Sequence, residues 1–141
     1  MSAAPTPQDL QGIDTAWIAA DVAGHVALFT TAGQGPVPEL ALAGVLCAEE
    51  LVLDLAEITD AVLVVSLPRP DSFVAFAKRG LFAYDWSDVH RTVSRCLNGY
   101  EPIARPCQPM KLEDLPLPLQ KLAEDARLTD TVFADGVVIH I

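Results

Sequence analysis

The sequence predicts an α+β fold: a mostly antiparallel or mixed sheet with helices packed on one face, in a single domain. Three observations predict it. Two β-rich runs flank a short Gly-containing connection near the start. A nearly uniform apolar run, Ala61 to Leu67, sits mid-chain between helical patterns. The element order, β-β-α-β-α-β-β-α-β-β, is neither a regular βαβ alternation nor a bundle. With 141 residues the chain is the size of one domain and long enough to bury a core.

Residues 1–12 read as a flexible lead-in to a domain over 13–141. Thr15 to Ala20 and Gly24 to Thr31 are expected to pair as a hairpin across Asp21-Val22-Ala23-Gly24. In the second strand Val26, Leu28 and Thr30 fall on one face, and His25, Ala27, Phe29 and Thr31 on the other. Ala32 to Pro38 is a loop by composition. From about Glu39 to Glu57, apolar residues recur at three- and four-residue spacing, as on a buried helix face. Gly44 and Cys47-Ala48 are places where this helix can split in two. On its other side Glu50, Asp54 and Glu57 stand at i, i+4 and i+7 as an acidic stripe. Like charges at that spacing cost roughly 0.2–0.5 kcal/mol in an isolated helix, so the stripe does not help the helix form. It serves either solubility or a partner.

The run Ala61 to Leu67 has the pattern of a central strand buried on both faces, stopped by Pro68 and Pro70. Asp71 or Ser72 can cap the next helix, with Lys78-Arg79 in its last turn and Gly80 beyond. Leu81 to Trp86 is a strand that places Phe82, Tyr84 and Trp86 on one face. Residues 87–97 fit either a helix capped by Ser87 or a hairpin loop. Asn98-Gly99 turns the chain into Tyr100 to Arg105, where Pro102 suggests an edge position. Pro118 suits the first turn of a last helix. Val132-Phe133 and Val137 to Ile141 read as closing strands.

Charge narrows the function classes. There are 19 acidic and 9 basic residues, a formal net charge of −10. Residues 1–68 hold nine carboxylates and no Lys or Arg; all nine basic residues lie from Arg69 onward. A chain so acidic lacks the basic patch that nucleic-acid binding requires, so no nucleic-acid partner is expected. The asymmetry is compatible with a solvated surface or with a partner of opposite sign. The longest apolar stretch falls well short of the roughly 20 residues that cross a bilayer, and no membrane association is expected. No charged segment followed by an apolar core opens the sequence. Cys47, Cys96 and Cys107 are odd in number and contain no C-x-x-C, which suits free thiols in a reducing cytoplasm rather than a disulfide framework or zinc site.

The richest polar cluster is Asp85-Trp86-Ser87-Asp88-Val89-His90-Arg91. Asp85, Asp88 and His90 could serve a small metal-dependent hydrolase; the same carboxylates could cap the following segment or contact a partner. Cys107 has no base beside it, and Gly33-Gln34-Gly35 is too short for a phosphate-binding fingerprint. No cofactor or metal is expected from these patterns. The aromatic residues are expected to pack in the core or, for Trp86, to serve an exposed recognition face.

Three stretches, Trp17 to Asp21 running on through His25–Thr31 to Gly35–Pro38, Gly80 to Trp86, and Tyr100 to Pro106, resemble small bacterial proteins. In size, acidity and lack of a catalytic signature the chain is similar to immunity proteins of bacterial toxin–immunity systems. That resemblance implies a cytoplasmic binding protein that neutralises a basic toxin domain by covering its active site; it assigns no residue a role. The residues expected to meet such a partner are Glu50, Asp54 and Glu57, with Asp85, Trp86 and Asp88 as a second patch. A homodimer through exposed strand edges is a further expectation.

Overall fold

The computed structural model describes residues 4–66, 68–87 and 98–141. In chain order the regular elements are α1 (Pro7–Leu10), β1 (Ala16–Ala20), β2 (Val26–Thr30), α2 (Ala48–Leu53), β3 (Ala61–Leu63), α3 (Asp71–Lys78), β4 (Phe82–Ser87), β5 (Gly99–Pro106) and α4 (Leu117–Asp125). Short 3-10 turns occupy Glu39–Gly44, Leu112–Asp114 and Phe133–Asp135. The strands form one mixed five-stranded sheet in the order β1-β2-β4-β5-β3, parallel only between β2 and β4. With α2, α3 and α4 packed against it, this is the expected α+β architecture.

Period-two alternation sorts the core into two layers. Ile18, Val26, Leu28, Leu81, Ala83 and Ile103 face the helices and meet Val52, Phe76, Leu119 and Ala123. Trp17, Phe29, Phe82, Tyr84 and Tyr100 face the other way, under Leu10, Phe133 and Ile139. There the rings form one connected stack. Trp17 lies on Phe29 at 4.1 Å and Phe29 on Tyr84 at 4.9 Å, while Tyr100 meets Trp17 edge-on at 5.6 Å. The indole Nε1 of Trp17 donates to the Tyr100 hydroxyl (3.1 Å), which itself donates to the Pro36 carbonyl (2.9 Å). Burial raises the Tyr84 and Tyr100 hydroxyls above the usual tyrosine range. Gly35 is required beside this stack, because a Cβ there would sit 2.5 Å from the Tyr100 oxygen.

The hairpin forms as expected, with Trp17 opposite Phe29, and a buried carboxylate holds its turn. Asp21 is fully buried; its Oδ1 accepts from the amides of Ala23 and His25, and its Oδ2 from the amide of Phe133, each at 2.9 Å. Three backbone donors compensate the charge, and one side chain thereby ties the hairpin to the C-terminal turn over the aromatic layer.

Five expectations need correction. The stretch from Glu39 does divide near Gly44 and Cys47, but the helix ends at Leu53, so Glu57 lies beyond it. The apolar run from Ala61 is not a central strand: β3 has three residues, forms the sheet's edge, and leaves Val62, Leu63 and the following Val64 exposed. Conversely β5, expected at an edge because of Pro102, lies between β4 and β3. A register irregularity makes this possible: Tyr84 faces Pro102 but Ala83 faces Ala104, leaving Ile103 as the extra residue of a bulge beside the proline. Neither Asp71 nor Ser72 caps α3; Pro70 occupies the cap position and Asp71 the first turn. The closing segments are a 3-10 turn at Phe133–Asp135 and an isolated bridge from Ile139 to Tyr100 rather than strands. The alternatives for residues 87–97 concern a segment of which 88–97, including Asp88 and His90, lie outside the described residues.

Candidate partner interface

The sequence-predicted acidic residues separate into different environments. Glu50 and Asp54 are exposed, at the start and just past the end of α2. The Asp54 amide donates to the Glu50 carbonyl, which keeps the two carboxylates one helical turn apart. Glu57 turns elsewhere: its Oε1 lies 4.0 Å from Nη1 of Arg79. Arg79 is anchored by donating to the carbonyls of Leu55 (3.0 Å) and Ala75 (2.8 Å), so it stands as a fixed cation at the α2–α3 junction. The three-residue stripe is thus reduced to two members, because the helix stops before the third.

Other acids take its place. Glu49, in the first turn of α2, sits close enough to Asp14 and Glu50 to feel both charges. Although the residue is exposed, partial desolvation by its neighbours is the main cause that holds its carboxyl above the usual glutamate range, and the repulsion of Asp14 and then Glu50 adds to it. Asp14 enters from the loop before β1, where its Oδ1 accepts from the Ala32 amide (3.0 Å). The sequence offers no hint of this meeting, since 35 positions separate Asp14 from Glu49 and only the packing of α2 against β1 joins them. On the 3-10 turn and connection that lead into α2, Leu40 is 70% exposed and Leu46 68% exposed. The region therefore combines carboxylates that have no salt-bridge partner among the described residues with large apolar side chains in water.

The two described members of the second predicted patch, Asp85 and Trp86, do not share a surface. Asp85 is only 4% exposed and lies in the helix-facing layer, in register with Thr30 of β2 and Glu101 of β5. Trp86, the next residue, points to the opposite face and packs edge-on against Tyr100 at 5.2 Å. Strand alternation thus separates two residues that look like one cluster in the sequence. Glu101 is also buried. Asp88 and His90 lie outside the described residues, so their relation to Asp85 is not part of this geometry.

Among the described residues no three His, Cys, Asp or Glu side chains converge as a metal site would require. Cys47 and Cys107 are exposed thiols. No helix among the described residues is long and apolar enough to cross a membrane. No protein-family model, curated protein or solved structure matches the chain.

Proposed function

We propose that this chain is an acidic binding protein that neutralises a basic protein partner, in the manner of an immunity protein occluding the active site of a bacterial toxin domain. The observation that carries this reading is the exposed carboxylate group Asp14, Glu49, Glu50 and Asp54 in the region of Leu40 and Leu46. Apolar side chains supply the desolvated contact, and the surrounding charge accelerates encounter and selects a cationic partner. A cation docking here draws Glu49 back toward its ordinary range. Binding therefore releases a proton from Glu49, and affinity rises with pH across that titration.

The test is co-purification with the product of the neighbouring gene, joined to a protection assay in cells that express it. The expected result is a complex whose association rate falls steeply with added salt and drops by about tenfold or more in the Glu50→Lys, Asp54→Lys double variant. Absence of both capture and protection overturns the reading. Intact binding with unchanged salt dependence in the double variant moves the interface away from α2.

A further inference from the structure

At the opposite edge of the sheet from β1, on the aromatic face, lies a groove with a different character. Its wider part has a volume of about 310 Å³ and runs between Val62 of β3, Phe82 of β4 and Ala134 of the C-terminal 3-10 turn. A narrower recess of about 50 Å³ adjoins it, sharing Phe82, Arg105 and Ala134 and ending against Val64 and Phe133. The larger volume is at the small end of the range for small-molecule sites, roughly 300–1,000 Å³. Most of the lining side chains are apolar, the Cys107 thiol lines the wider part, and among the described residues Arg105 is the one charged residue that lines either part.

Arg105 supplies the groove's charge. It lies on β5 opposite Val62 and is exposed, and its side chain makes no ion pair or hydrogen bond with any described residue. Arg79, by contrast, engages two carbonyls and a carboxylate. Without a carboxylate partner among the described residues, the guanidinium beside this groove leaves its bidentate donor fork available. Asp135, on the C-terminal turn, forms no salt bridge with it.

The geometry points to a binding site for a small aliphatic carboxylate, its head on the Arg105 guanidinium and its chain lying over Phe82 between Val62 and Ala134. Charge complementarity selects the head group and the enclosed recess receives the end of the chain. This site is independent of the acidic surface on α2 and stands whether or not a protein partner binds there.

The experiment titrates the isotopically labelled protein with sodium octanoate and follows backbone amide shifts. Saturable shifts confined to Val62, Val64, Phe82, Ala134 and Gly136 are expected. Octanol, which lacks the charge, should bind about tenfold more weakly, as should octanoate to Arg105→Gln. Arg105 is exposed, so the variant should retain the wild-type melting temperature. Ala134→Trp, which fills the groove without touching the charge, should abolish the shifts. The proposal is overturned if octanoate gives no saturable shifts, if octanol matches it, or if Arg105→Gln leaves affinity unchanged. It is also overturned if these residues respond only to an apolar peptide with a free C-terminal carboxylate and not to octanoate.

Discussion

The two edge strands of the sheet, β1 and β3, are both short apolar runs, yet they have opposite fates. Every residue of β1 is buried. Layers of core cover both of its faces, α4 packs on it, and the Leu128 amide closes its end by donating to the Ala20 carbonyl. In β3 and just past it, Val62, Leu63 and Val64 each remain about 40% exposed. The run from Ala61 is the richer of the two in Val and Leu, but hydropathy does not decide which edge is covered. What decides it is where the rest of the chain returns: the segment after α4 comes back to β1, and among the described residues none forms a ladder on the outer side of β3. The same difference places an acidic surface near the covered edge and an apolar groove with one arginine beside the open one.

The sharpest way to break this comparison is to truncate one apolar side chain on each edge. Trp17→Ala removes the stacked centre of the aromatic layer and should cost about 3–5 kcal/mol in urea unfolding. Val64→Ala should cost less than about 1 kcal/mol. Equal losses would mean that the β3 edge is buried in solution. Next in size is Asp21→Ala, which strands three backbone amides and should destabilise by about 3 kcal/mol, with Asp21→Asn losing less because one acceptor oxygen survives. If the alanine variant is as stable as wild type, the carboxylate does not bind the C-terminal turn to the hairpin. Val64→Lys should change stability by no more than about 0.5 kcal/mol, since the long side chain reaches water from an edge position.

The smallest effect is at Glu49. Its folded-state carboxyl titrates above the ordinary value of 4.5, so the native state holds the proton more tightly than the unfolded chain. This group therefore favours folding in acid and opposes it as pH rises past that value. Glu49→Gln should raise the melting temperature slightly at neutral pH, and the difference should vanish once wild-type Glu49 is protonated. A gain that persists in acid would assign the effect to something other than charge.

Much of the interior is legible in the amino-acid sequence. The hairpin, the shared face of Phe82, Tyr84 and Trp86, and the start of α4 at its proline all follow from local period and turn chemistry. Glu50 and Asp54 are legible as a surface pair for the same reason. Glu57 is not, because the helical period continues past the point where hydrogen bonding stops. Asp85 and Trp86 look like one patch along the chain, but neighbours on a pleated strand point to opposite faces. Asp14 beside Glu49, and Arg105 beside Phe82 and Ala134, have no sequence signal, since each depends on segments brought together by the sheet order.

By itself, then, the sequence determined the α+β class, the two faces of the hairpin and the concentration of negative charge in the first half, because these depend on composition and on interactions a few residues apart. Only the tertiary structure decided which apolar run became an exposed edge, which carboxylates share a surface and which arginine lies beside a groove. Those outcomes depend on contacts between distant segments, and hydropathy and spacing carry no record of them.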